Sequence, residues 1–153
     1  MPCALSRNAR TLMVRCLLGE EIEVSERTTR GRRELERADL LEAGSFSEMH
    51  VLASDELFHF YLGDPVEMLQ LWPSGEAKVA VLGPDLAAGQ HVQLLVPAGV
   101  WQGTRLVGEG QVALLGCSVV PGFDFADYLS GSYAELTARW PREAERIRLL
   151  TRS

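Results

Sequence analysis

The chain has 153 residues, of which 46% are hydrophobic and 24% charged, and its formal net charge is -6. That length and apolar share suit one compact domain with a substantial core. The acidic balance argues against a nucleic-acid partner, because phosphate contacts draw on clustered Lys and Arg.

From the N-terminus, Thr11 to Leu18 and Glu21 to Ser25 each suit a strand, whereas Gly31 to Leu41 has helix-forming composition. The basic run Arg27 to Arg37 alternates with Glu34 and Glu36 and reads as a solvated helix face. From Phe46 onward the chain changes character. Short apolar runs, Leu57–Leu62, Val66–Trp72, Lys78–Leu82, His91–Val96, Thr104–Val107 and Gln111–Val120, are separated by turn signals. These include Gly63-Asp-Pro, Pro73-Ser-Gly, Gly83-Pro-Asp and Pro97-Ala-Gly. Strands of this length at this spacing predict an all-β sandwich or barrel. Helical periodicity enters near the end, in Tyr133 to Trp140 and Pro141 to Leu150, with Pro141 suited to a first helical turn.

The cysteines are Cys3, Cys16 and Cys117, odd in number and without CxxC spacing. A disulfide framework or zinc knuckle is therefore not expected, and a reducing cytoplasm fits best. Leu12 to Leu18 is apolar but short and interrupted by Arg15. It has neither the length of a membrane span nor the order of a signal peptide, so no membrane partner is expected.

Two segments carry the functional information. The first runs Gly44, five residues, His50, Val51, Leu52, three residues, Glu56, six residues, Gly63; the second is Val96-Pro-Ala-Gly99-Val-Trp101-Gln102. In this order and spacing they resemble the two motifs of a cupin, with Leu52 and Gln102 standing where histidines are usual. Ser54-Asp-Glu with Phe58-His-Phe-Tyr, and Gly116-Cys-Ser-Val-Val-Pro-Gly-Phe-Asp-Phe-Ala-Asp127, extend the likeness to the DUF985, or Cupin_5, group. The resemblance implies a double-stranded β-helix (jelly-roll) barrel, usually dimeric, similar in fold to RmlC-type epimerases. On this reading the single domain 1–153 comprises N-terminal strands or a helix over 1–43, a barrel core over 44–127 and C-terminal helices over 132–152. The Glu-Gly-Gly-Tyr-Tyr segment with which such chains usually begin is not found.

His50 and Leu52 lie two apart on a strand and share a face. Glu56, Phe58, Phe60 and Leu62 share a parity in the next strand. With Glu56 inward, Phe58 and Phe60 line the interior, while His59 and Tyr61 point outward. Gln93 is expected at the cavity and His91 in solvent. Trp101 suits stacking on a ligand, or else rim packing, and Gln102 suits ligand orientation. Cys117 reads as a buried small hydrophobe, and Asp124 and Asp127 as capping and turn residues.

A 2-His-1-carboxylate iron site needs two histidines. Leu52 removes one donor and Gln102 is a weak neutral ligand, so no tightly held metal or other cofactor is expected. A divalent ion, if bound, would use His50, Glu56 and Gln102. The remaining pair supports acid–base chemistry, with His50 as general base or acid and Glu56 orienting it. The expected function is a metal-independent isomerase, epimerase, cyclase or lyase acting on a small polar metabolite. The alternatives are a barrel that binds or senses such a metabolite without turnover and a weakly metal-dependent enzyme.

Overall fold

A computed structural model of the chain describes residues 10–15, 21–29, 32–120 and 128–152. Its strands in chain order are β1 (Arg10–Arg15), β2 (Glu21–Thr29), β3 (Arg32–Glu42), β4 (Phe46–Val51), β5 (Asp55–Gly63) and β6 (Val66–Leu71). They continue as β7 (Ala77–Leu82), β8 (Gln93–Val96), β9 (Trp101–Leu106), β10 (Val112–Val120) and β11 (Leu129–Ser130). A six-stranded antiparallel sheet has the order β1-β2-β3-β10-β5-β8, and a five-stranded one the order β11-β4-β9-β6-β7. Helix α1 (Tyr133–Arg139), a 3₁₀ turn (Pro141–Glu143) and α2 (Ala144–Leu149) follow. Ser132 caps α1, its hydroxyl accepting from the Glu135 amide and donating to the Glu135 carboxylate, a reciprocal cap that starts the helix where its periodicity begins.

The alternation within single strands explains the layering. β6 reads Val66-Glu67-Met68-Leu69-Gln70-Leu71, nearly continuous in apolar residues because both of its faces are covered. Val66 and Met68 join the core between the sheets, together with Leu41, Phe58, Leu82, Val96, Leu115 and Val119. Leu69 and Leu71 join a second core against the helices, with Met49, Leu136, Trp140, Ile147 and Leu150. Burying side chains of this size contributes about 1.5–3 kcal/mol each. Gly103 marks a close approach of β4 to β9, since a Cβ there would lie 2.8 Å from Met49 Sδ and 3.1 Å from the Ser47 carbonyl oxygen, with Leu150 behind at 3.3 Å. The same division puts Met49 on the helix side of β4 and its neighbour His50 on the inner side.

Three expectations are corrected here. The helix-forming stretch 31–41 is strand β3 from Arg32 onward, paired with β10 from Leu35 to Glu42 and with β2 from Arg32 to Glu36. Two flanking ladders outweigh a weak intrinsic helix preference. Of the Arg27 to Arg37 run, the described residues 27–29 and 32–37 lie in the paired antiparallel strands β2 and β3, not on a helix face; the register sets Arg27 opposite Glu34. Leu62 is exposed rather than inward, because the β5–β10 register shifts between Leu114 and Leu115. Leu115 faces Phe60 and Leu114 faces Leu62, so Tyr61 is the extra residue and the inward parity ends at Phe60. Cys3, Cys16, Asp124 and Asp127 lie outside the described residues.

The β5–β6 turn is closed by Asp64. Its carboxylate accepts from the backbone N–H groups of Gln111, at 2.7 Å, and Val112, at 3.2 Å. These bonds hold the Asp64 carboxyl below its usual value of 3.8. A folded-state pKa below the unfolded one means that the carboxylate's contribution is complete above pH 3.8 and is lost as pH falls through the lower folded value. The melting-temperature difference between wild type and Asp64→Ala is therefore expected to be largest near neutrality and to shrink below pH 3.8; a pH-independent difference would contradict this role.

Candidate active site

The inner wall gathers an unusual set of polar groups. His50, Glu56, Gln70, Gln102 and Thr104 are all buried. Four lie on the five-stranded sheet: His50 on β4, Gln102 and Thr104 on β9, and Gln70 on β6. The register pairs Gln102 with His50 on one side and with Gln70 on the other. Glu56 comes from the facing sheet, next to Val96 and Val119. The barrel thus brings the three motif residues His50, Glu56 and Gln102 together across its interior.

Their hydrogen bonds define a proton arrangement. His50 Nδ1 lies 2.7 Å from the Glu48 carbonyl oxygen, which only accepts, so Nδ1 carries the proton. Nε2 then accepts from the Gln102 side-chain amide at 3.1 Å. The same Gln102 NH₂ group donates to Glu56 Oε2, and His50 Nε2 and Glu56 Oε2 are 3.9 Å apart. This fixes the Gln102 amide orientation, because the reverse one would set its oxygen against the Glu56 carboxylate. Glu56 Oε1 accepts from the Cys117 thiol at 3.6 Å. The His50 ring stacks on Tyr128, with centroids 4.9 Å apart and planes at 19°.

The other residues singled out from the sequence divide between the faces. Phe58 is buried in the core between the sheets and Phe60 packs partly buried against it, both on the expected inner side. Gln93 is corrected to the outer face. Leu94 and Val96 take the inner positions of β8, and exposed Gln93 donates to His59 Nδ1 at 3.1 Å. His59 in turn meets Ser118 at 3.2 Å and stacks beside exposed Tyr61. Trp101 is also corrected: with Gln102 inward, strand alternation turns Trp101 toward α1, where it packs against the second core. His91 is exposed and Cys117 buried, but the thiol contact to Glu56 was not anticipated. Gln70, Thr104 and Tyr128 were missed. A glutamine inside the apolar run of β6 was a readable signal; Tyr128 reaches His50 only through tertiary folding.

The donor set bears on metal binding. Leu52, at the position of the second motif histidine, is packed in the core. Gln102 directs its NH₂ rather than its oxygen at His50 and Glu56. One imidazole, one carboxylate and the Cys117 thiol on Glu56 remain, and among the described residues no group of three or more His, Cys, Asp and Glu is placed to hold an ion. Three or four such ligands are the norm for tightly held transition metals, so these residues do not fit one.

A small antiparallel β-barrel with motif residues converging on its inner wall defines a cupin-type protein. The chain belongs to the Cupin_5 (DUF985) family of the cupin superfamily, whose model matches residues 36–130. It is similar to a Shewanella oneidensis protein of known structure, with 32% identity over 92% of this chain and 91% of that one and a TM-score of 0.80. A hypothetical protein from Leishmania major is 23% identical over 97% of this chain and 87% of that one, with a TM-score of 0.74. Oxalate decarboxylase from Bacillus subtilis shares the fold, at 14% identity and a TM-score of 0.57; the match covers 94% of this chain and 37% of the enzyme. These likenesses establish the jelly-roll barrel. Among curated proteins none matches the sequence.

Proposed function

We propose that the protein is a metal-independent acid–base enzyme for a small polar metabolite, of the isomerase, epimerase, cyclase or lyase type. The observation that carries this reading is the buried His50–Gln102–Glu56 arrangement, in which a neutral imidazole presents its unprotonated Nε2 beside a carboxylate. When a ligand displaces the Gln102 N–H from Nε2, its C–H next to a carbonyl gives its proton to Nε2, and the electron pair moves into the carbonyl to form an enolate. Nδ1–H stays on the Glu48 carbonyl, and Glu56 stabilises the imidazolium electrostatically. Returning the proton to the other face or to a neighbouring atom completes an epimerisation or isomerisation.

A second reading, binding or sensing without turnover, draws on Gln102, whose NH₂ group occupies both Nε2 and Oε2 in the resting cluster. Proton NMR in D₂O on a panel of aldoses, ketoses, hydroxy acids and keto acids separates the two. Protein-dependent loss of a C–H signal supports the enzyme; ligand binding with no exchange for any bound compound supports the sensor.

The resemblance implies a homodimer, and three cysteines without CxxC spacing fit a reducing cytoplasm. Support comes from the outer face of the six-stranded sheet, which exposes Tyr61, Leu95 and Val120. No helix among the described residues is long and apolar enough to cross a membrane. Light scattering is expected to give a dimer mass for wild type and a monomer for Leu95→Glu; a wild-type monomer would remove this interface.

A further inference from the structure

Two buried polar atoms on the inner wall have no hydrogen-bond partner among the described residues and are not used by the acid–base pair. One is the acceptor Gln102 Oε1, on a residue with 0% exposure; the other is the donor Trp72 Nε1–H. The Gln102 NH₂ group is engaged by His50 and Glu56, so its oxygen is the part of that amide left to meet a ligand. Trp72 follows Gln70 by two residues and packs against the core between the sheets, on the same side as Gln70 and Gln102. Gln70 is the register partner of Gln102, so Trp72 stands one inner-face step away, roughly 6–7 Å along the strand direction. Gln70 gives its own side-chain N–H groups to the Leu95 carbonyl, at 3.2 Å, and to Met68 Sδ. Lys78, opposite Gln70 on β7, holds its ammonium 4.5 Å from the Trp72 ring centroid and 3.7 Å from Glu76.

A buried acceptor and a buried donor left unpaired are each destabilising, and together they select a ligand that carries the opposite pair. The nearby ammonium favours a negative charge on the group that accepts from Trp72. We propose that this wall recognises a small hydroxy acid, its hydroxyl donating to Gln102 Oε1 and its carboxylate accepting from Trp72 Nε1–H beside the Lys78 ammonium. The proposal rests on the reading that the barrel takes a small polar metabolite, and it names the class. It places the hydroxyl end of the ligand at Gln102 and the acid group toward Trp72.

The test is calorimetric titration of the full chain with glycolate, lactate and gluconate, against acetate, which lacks the hydroxyl, and glycerol, which lacks the acid. A hydroxy acid is expected to bind at least about tenfold more tightly than acetate or glycerol, the scale of one good hydrogen bond. Trp72→Phe and Lys78→Met are each expected to weaken the hydroxy acid about tenfold while leaving glycerol affinity unchanged. No preference for any hydroxy acid, or equal loss for acid and glycerol, overturns the proposal; so does an ordered water that bridges the two atoms and stays in a glycolate-soaked crystal. Binding without C–H exchange sinks the enzyme reading alone. Exchange on a sugar or keto acid, with no hydroxy acid bound, sinks this proposal alone.

Discussion

Replacing His50 with alanine, or Glu56 with glutamine, is expected to lower the protein-dependent C–H exchange rate of a bound metabolite by about 10²–10⁴-fold. The two substitutions act on different parts of the step. His50→Ala removes the atom that takes the proton. Glu56→Gln keeps the shape, and its amide oxygen still accepts from Gln102, but the charge that stabilises the imidazolium is gone. His50→Gln controls for folding, since its side chain can still accept from the Gln102 amide without acting as a base near neutral pH. Ligand affinity is expected to change much less than the exchange rate in all three, because a group acting mainly in the transition state is lost from the rate constant rather than from binding. Exchange at the wild-type rate in His50→Ala, with the fold intact by melting temperature, would end the acid–base reading.

The largest expected effect on stability comes from Gly63→Ala. Gly63 closes the first sequence motif with φ of 101°, a left-handed conformation that L side chains rarely adopt. A Cβ there would fall against the Val112 carbonyl oxygen and 2.7 Å from the Ala113 Cα. Both are backbone atoms of β10 and cannot swing aside as a flexible side chain would. Strain and overpacking together are expected to cost about 2–5 kcal/mol, lowering the melting temperature by roughly 10 °C in a domain of this size. Gly44→Ala is a comparison for backbone strain alone, since φ is 80° there but no atom lies within 4 Å of a Cβ. Equal losses for the two substitutions would show that steric closure against β10 is not what Gly63 supplies.

These contrasts mark how much was legible before folding. The residue types, the motif spacing and the turn glycines were enough to place His50, Glu56 and Gln102 on one interior, and to assign β5 through β10 and the terminal helices. The reason is local: alternation, turn chemistry and capping act over a few residues and leave a direct trace in the chain. The same traces misplaced Trp101, Gln93 and Leu62. Trp101 and Gln93 each sit beside an inward residue, and which face a strand turns to the interior depends on what covers the other side. The helices behind β9 claim Trp101, and the Leu94–Val96 pair turns Gln93 outward. Leu62 was lost to a bulge that depends on pairing between β5 and β10, strands about fifty residues apart. The β3 strand was hidden for a similar reason, since its partners, not its composition, hold it extended. The proton arrangement at the site required the assembled barrel. A backbone carbonyl at Glu48, an amide from β9 and a carboxylate from the opposite sheet meet at one imidazole only once both sheets are closed around it.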